Sequence, residues 1–404
     1  MGLAAAMNEF ASELYDRLAL LREQGLYREL RRVDSPQLPR ILIEGRRLLN
    51  FSSNDYLGLA NHPALRESAI HAIERYGAGA GASRLISGSL APHHELEESL
   101  AAFKGTEAAL AFSTGYAAAL GTISALMGDG DVIIVDKLVH ACIVDAARLC
   151  GAKLRVFRHN DLTDLERLLR WAAQRTAEPK NPAAARRPRT LIVTESVFSM
   201  DGDHAPLRQI VELKTKHGAW LMVDEAHATG LYGRKGRGLA EASGVQEAIE
   251  IHMGTLGKAL GAAGGYICGN RSLIDYLVNR ARSLIFSTAP VPAAVAAATA
   301  GVRLAQSEVG EDRRKNLWQL VSALPPRQAP QVPSAIVPIH IGAETKAVET
   351  AAALRQKGIF IPAIRYPTVA RGRARLRLTL TAAHTNADLD ELRSSLATSL
   401  ESRL

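Results

Sequence analysis

One lysine stands alone among small residues in MGTLGKALG (253–261). A small, apolar surround lowers the pKa of an ammonium and frees its amine for Schiff-base chemistry. Lys258 is the only lysine between Lys235 and Lys315, and Thr255, three residues earlier, is placed to meet a phosphate oxygen. In MVDEAHATG (222–230), Asp224 directly follows the apolar run WLMV. A carboxylate there can keep a pyridinium nitrogen protonated, and His227, three residues on, can hydrogen-bond a ring oxygen. In FSTGYAAAL (112–120), Gly115 and Tyr116 open a helix after an apolar run, and the amides of a helix N-terminus make an anion site. His140 follows the run VIIV, and Glu195 and Ser199 follow TLIVT.

Taken singly, each residue has a structural alternative. Asp224 reads as a helix cap, Lys258 as a turn lysine, Gly115 as a tight strand-to-helix turn and His140 as a structural histidine. The functional reading gains from their common position, because a parallel sheet presents its ligand-binding loops at the carboxyl ends of its strands. Together they supply an anion cradle, a stacking ring, an acid for a pyridinium, hydrogen bonds to a phenolate and a Schiff-base lysine. That set fits pyridoxal phosphate.

The elements that must position these residues follow from hydrophobic patterning. Apolar runs at 108–112, 132–135, 154–157, 190–194, 220–223, 249–253 and 265–268 alternate with amphipathic stretches such as 162–172 and 207–217. Short continuous apolar strands separated by helices imply an α/β fold with a mainly parallel sheet covered on both faces. Upstream, the pattern predicts a helix over 8–32, a hairpin over 41–51 around Gly45 and a polar turn over 52–60. Asn61-His62-Pro63 opens a helix whose inward stripe reads Leu65, Ala69, Ile73 and Tyr76. A helix with Leu96, Leu100 and Phe103 stops at Gly105. Beyond residue 290 the order changes to a long helix from Pro292, a strand over 335–342, a helix over 345–357, strands over 359–364 and 375–380, and a helix with Leu389, Leu392, Leu396 and Leu400 on one face. This is the pattern of a smaller α+β unit. The division expected is an N-terminal segment 1–55, a large domain 56–290 and a small C-terminal domain 291–404.

Composition narrows the function classes. The 404 residues are 47% hydrophobic and 22% charged, ordinary for a globular protein. The net charge of +8 is compatible with anionic ligands but comes with no nucleic-acid recognition motif. Its densest basic run, 177–189, is rich in Pro and Ala and reads as a solvated loop. Cys142, Cys150 and Cys268 sit in apolar contexts without metal-like spacing, as expected in a reducing compartment. The first residues carry acidic side chains and no long apolar run, and no stretch reaches membrane-spanning length, so a cytoplasmic location is expected. GAGAGA (77–82) imitates a dinucleotide fingerprint but follows a helix rather than a strand, and GTLGKAL lacks the spacer and the Ser or Thr of a phosphate-binding loop. His93, His94 and Glu95 begin an amphipathic helix with no partner cluster, so no metal is expected.

FSSNDYLGL, RLISG, VFSMDGD, MVDEAH and the glycine-flanked lysine recur in the order found in the α-oxoamine synthases. From about residue 20 to the C-terminus the chain resembles that family of fold-type I pyridoxal-phosphate enzymes. The resemblance implies that Lys258 binds the cofactor covalently, Asp224 pairs with its ring nitrogen, and His227 and Ser199 contact its ring oxygen. It places His140 over the ring and beside the substrate, and Gly115, Tyr116 and Thr255 at the phosphate. Arg365 becomes the candidate for the amino-acid carboxylate, with Thr368, Arg28 and Asn54 as further substrate contacts. The family is homodimeric with shared sites, and Ser287 and Thr288 match the phosphate contact given by the partner chain. AIRYPTV (363–369) and RLRLTLTAAHT (375–385) resemble most the branch that condenses L-alanine with a pimeloyl thioester, carried on coenzyme A or an acyl-carrier protein, in biotin biosynthesis. A glycine-using branch, the glycine C-acetyltransferases, shares most of the motifs and stands as the alternative.

Overall fold

The computed structural model describes residues 2–177, 187–324 and 332–400; most of the basic run 177–189 lies outside them. The strands are β1 (Arg40–Ile43), β2 (Arg46–Asn50), β3 (Ala108–Phe112), β4 (Val132–Asp136), β5 (Lys153–Phe157), β6 (Thr190–Glu195) and β7 (Trp220–Asp224). They continue with β8 (Ile251–Thr255), β9 (Gly265–Gly269), β10 (Ile336–Gly342), β11 (Ile359–Phe360), β12 (Ala363–Ile364) and β13 (Ala374–Thr379).

The main sheet has the order β3-β9-β8-β7-β6-β4-β5 and is parallel except for β9, which runs against both of its neighbours. Its central strands read as unbroken apolar runs because both faces are covered. Ile133, Val135, Leu191 and Val193 face one way, packing with Ile123, Ile143 and Leu277 from helices. Val132, Ile134, Ile192 and Leu221 face the other, against Leu165, Leu169 and Ile210. Beyond residue 335, β10, β13 and β12 form a small antiparallel sheet, and the hairpin β1-β2 is extended by β11, which joins β2 in parallel.

Several expectations need correction. The first helix spans Gly2–Glu23 rather than 8–32, because Gly25 takes a left-handed conformation (φ 65°) and the chain leaves the helix there. This puts Arg28 outside the helix. The helix Pro63–Tyr76 is capped by His62, whose Nδ1 accepts from the Ala64 amide. Its buried residues are Leu65 and Ala72, whereas Ile73 is 48% exposed, so the inward stripe is rotated from the expected one. The long helix after Pro292 ends at Gln306; Ser307 then caps a second helix, Glu308–Ser322, that the sequence pattern did not separate. The run IFIPAI is not one strand: β11 and β12 flank Ile361-Pro362 and belong to different sheets. Proline has no N–H for a ladder, so the run divides there.

A buried ion pair braces the strand end that matters most. Lys104 Nζ lies 2.5 Å from Glu225 Oε2, with both side chains almost fully enclosed. The other Glu225 oxygen accepts from the Ala240 amide at 2.9 Å. Burial alone would raise this carboxyl; the Lys104 ammonium, His252 and the Ala240 N–H outweigh it and hold it below its ordinary range. Glu225 also donates its own amide to the Met253 carbonyl at 2.8 Å, tying the end of β7 to β8. The residue before it is Asp224.

Candidate active site

Strands β4, β6, β7 and β8 end at the same edge of the main sheet. Glu195 and Asp224 are register partners as the last residues of β6 and β7. Partners in a ladder project to the same face, so two carboxylates stand side by side, and both are buried. Asp224 accepts the Ala226 amide at 2.8 Å and Glu195 accepts the Ser199 amide at 3.1 Å. The second Glu195 oxygen has no hydrogen-bond partner among the described residues.

Lys258, three residues beyond β8, meets His227 Nε2 at 2.9 Å. His227 Nδ1 lies 2.5 Å from the Tyr56 hydroxyl, and that hydroxyl accepts from Arg377 Nη2 at 3.3 Å. Arg377 comes from β13 in the small sheet and is buried; its Nε donates to the Ser199 carbonyl at 2.6 Å and its Nη1 to Asn54 Oδ1 at 3.0 Å. A continuous chain of hydrogen bonds therefore runs from Lys258 through His227 and Tyr56 to Arg377. Among the described residues no carboxylate pairs with the Arg377 guanidinium.

Burial governs the protonation of this cluster. It lowers Lys258, against the charges of Asp224 and Glu195, and lowers His227 well below the ordinary imidazole range, with help from Lys258 and Arg377. A neutral His227 presents one N–H and one lone pair, so it can accept from one neighbour and donate to the other. Burial raises Asp224, opposed by Lys258, the Ala226 amide and His140. Burial, then the Asp224 charge, pushes Glu195 up to about 8.

An anion cradle adjoins the cluster. The helix Gly115–Leu126 follows β3 and is capped by Thr114, whose hydroxyl accepts from the Ala117 amide at 3.0 Å. A first helical turn leaves its amides without intrahelical acceptors, here those of Gly115 and Tyr116. A Cβ on Gly115 would sit 3.9 Å from that of Thr255, which places the helix start beside the β8 end. A Cβ on Gly265 would come within 2.5 Å of the Gly115 Cα, so β9 can press against this turn only without a side chain. Amides and a threonine hydroxyl for a phosphate, a buried carboxylate for a ring nitrogen and a depressed lysine for an aldehyde fit the pyridoxal phosphate that the sequence resemblance implies.

The remaining expected residues divide into three places. His140 caps the helix Ala141–Leu149 at the end of the loop after β4, with its Nδ1 3.0 Å from Cys142 Sγ; burial lowers it. Tyr116 is 45% exposed and donates to Asp145 at 2.6 Å. Arg28 and Arg365 line a separate pocket of about 640 Å³ with Tyr27, Phe360 and Pro362. Arg365 donates to the Tyr27 carbonyl, Arg28 to that of Tyr366 at 3.4 Å, and Thr368 closes a turn by donating its amide to the Arg365 carbonyl at 3.0 Å. Thr288 bridges Ser83 in the glycine-rich segment, on a surface where Phe286 and Ile86 are 69% and 81% exposed.

Tyr56 and Arg377 were missed by motif reading, and Glu195 was noticed without a role. The usable signal for Arg377 was Arg375 and Arg377 two apart in an otherwise apolar strand, hence on one face; both are buried.

Glu195 makes a pH dependence measurable. Its ordinary value is 4.5 and its folded value about 8. Between these the folded chain binds the extra proton, so the group's contribution to stability falls as pH rises through that window. In urea unfolding of cofactor-free protein, the wild-type midpoint is expected to drop relative to that of Glu195→Gln from pH ~4.5 to ~8. Parallel pH profiles would mean that Glu195 is already ionised in the folded state.

Residues 46–396 match the family described as aminotransferase class I and II. The chain is 47% identical to the 8-amino-7-oxononanoate synthase of Geotalea daltonii, over 95% of its own length and 96% of the relative's. It is likewise 47% identical to the protein of that name from Geobacter sulfurreducens, over 94% and 96%. Among solved structures, a serine palmitoyltransferase from S. paucimobilis with bound PLP and myriocin superposes with TM-score 0.87 at 30% identity, covering 100% of this chain and 99% of that one. An 8-amino-7-oxononanoate synthase from Francisella tularensis superposes with TM-score 0.72 at 26% identity, over 88% and 97%. The chain belongs to the aminotransferase class I and II family and, within it, to the family of 8-amino-7-oxononanoate synthases.

Proposed function

We propose that the chain condenses L-alanine with a pimeloyl thioester, on coenzyme A or an acyl-carrier protein, releasing carbon dioxide and the free thiol and giving 8-amino-7-oxononanoate for biotin synthesis. The observation that carries this reading is the hydrogen-bonded chain from Lys258 to Arg377, which has no carboxylate partner among the described residues, beside two buried carboxylates, in a protein 47% identical to synthases of that name.

Pyridoxal phosphate, when bound, supplies the electron sink for the carbanion at the amino-acid Cα. Lys258 would hold its aldehyde carbon, Asp224 its ring nitrogen, His227 and Ser199 its ring oxygen, and His140 its ring face. Gly115, Tyr116 and Thr255 would hold its phosphate. Burial brings the Lys258 amine below the ordinary lysine range, which suits a base, and Lys258 would be the residue to take the Cα proton. Arg377 gives four of its N–H groups to Ser199, Asn54, Thr379 and Tyr56; its charge and the remaining Nη2 N–H would meet the amino-acid carboxylate and help fix the Cα–H direction. The roles expected for Arg365, Thr368 and Arg28 move outward to the acyl chain, with Arg28 facing the distal carboxylate. Asn54 acts by orienting Arg377.

Product identification tests the assignment. L-alanine with a pimeloyl thioester is expected to turn over faster than glycine with an acetyl thioester, and the reverse order would move the protein to the glycine C-acetyltransferases. Arg377→Lys is expected to raise the KM for alanine by about tenfold or more, the worth of a charge-assisted hydrogen bond. Arg365→Lys is expected to affect chiefly the thioester. If Arg365→Lys alone weakens alanine binding, the carboxylate site is the one first read from the sequence.

A homodimer with shared sites belongs to the same reading. It is supported by the apolar exposure of Phe286 and Ile86 beside Ser287 and Thr288, which would reach the partner's phosphate site. Mixing Lys258→Ala chains with Thr288→Ala chains places both lesions in one site and leaves the other intact. Activity is expected to recover on mixing; no recovery despite demonstrated subunit exchange would refute sharing. Among the described residues no helix is long and apolar enough to cross a membrane.

A further inference from the structure

Outside the cluster around Lys258, one charged group joins three elements that border it. His159 lies in the turn after β5. Its Nδ1 meets Asp136 Oδ1 at 2.9 Å and its Nε2 meets Asp203 Oδ2 at 2.7 Å. Two carboxylates accept from one ring, so both nitrogens must carry protons and the imidazole is a cation. Burial opposes that charge, but the two carboxylates overcome it and push His159 up to about 10. The cation therefore persists across the physiological range.

Each contact leads to the site. Asp136 is the fully buried last residue of β4; its Oδ1 also accepts the Leu138 amide at 2.8 Å, shaping the turn that ends at His140. Its Oδ2 accepts the Asn160 amide at 2.9 Å. Asp203 closes the loop after β6, where its carbonyl accepts the Phe198 amide at 3.0 Å. The His159 ring stands edge-on to Phe198, centroids 4.4 Å apart, and Ser199 is the next residue. Asn160 adds bonds to Asp203 at 3.3 Å and to the His204 carbonyl at 3.1 Å. From the other side, Arg375 pairs with Asp201 in the same loop.

We propose that His159 is a positioning residue: by bridging Asp136 and Asp203 it fixes the loop that carries Ser199 and the turn that carries His140 at the spacing the cofactor ring requires. The proposal rests on the reading of Ser199 as a ring-oxygen contact. The His159 ring nitrogens bond Asp136 and Asp203 and none of the residues assigned to the cofactor, so its effect must pass through these two loops.

The test is a double-mutant cycle on the holoenzyme, reading the apparent Kd for pyridoxal phosphate by equilibrium dialysis and the visible circular dichroism of the bound cofactor. The His159→Gln amide is neutral and carries both its donors on one nitrogen, so it cannot replace donors on two separate ring nitrogens. It is expected to raise Kd about tenfold and to change the dichroism. Ser199→Ala is expected to do likewise, and the double variant to be no worse than either single one. Asp203→Asn, at a half-exposed position where folding is least at risk, should shift both readouts in the same direction. Additive losses in the double variant would overturn the proposal. So would a His159→Gln enzyme that loses thermal stability while keeping wild-type Kd and dichroism, since that is the behaviour of a purely structural histidine. An unchanged Kd in Ser199→Ala would instead refute the Ser199 reading, and the route assigned to His159 with it.

Discussion

Two carboxylates side by side at the end of a buried parallel sheet cannot both hold a full charge unless a cation stands near them. Glu195 and Asp224 are neighbours in strand register, and burial raises both. Lys258 is the nearby ammonium, itself lowered by the same burial. The three groups therefore set one another's protonation, and the rest of the site follows from that. A lysine lowered in this way gives up its proton more readily than an ordinary lysine and can turn from counter-ion to nucleophile. A carboxylate with one amide bond and no salt bridge of its own has a free oxygen to offer a ring nitrogen.

Holding such a cluster takes charge from farther away. Lys104 and Glu225 brace the strand end directly behind Asp224. Arg377 and Arg375 reach from the small sheet to the loop after β6, bonding Ser199, Met200 and Asp201. His159 holds the same loop from the main sheet. The small sheet is thus part of the site, because the cation that ends the Lys258 chain comes from β13 and not from the main sheet.

Legibility in the sequence followed the range of the interactions. The central strands β4, β6 and β7 are legible because each carries a continuous apolar run, and Lys258, Asp224, His227, Gly115 and Thr255 are legible because each lies at or just after a strand end. Tyr56 and Arg377 lie 321 residues apart and meet only in the folded chain, so no local pattern marks either as a member of the chain that starts at Lys258 and His227. Helical spacing alone runs the first helix past Gly25, and apolar patterning joins IFIPAI into one strand although Pro362 has no N–H to give a ladder. Ile73 was placed in the core by helical spacing alone, which cannot tell a face buried within the chain from one left exposed at 48%.

Lys258, lowered by burial and bonded to His227, is the lysine assigned to pyridoxal phosphate. Reduction of the yellow holoenzyme with borohydride fixes the cofactor to the amine it occupies, and mass spectrometry of the digest locates the label. The account predicts a single phosphopyridoxyl modification, on the peptide containing Lys258. Label on another lysine, or no label after reduction of an active preparation, would contradict it.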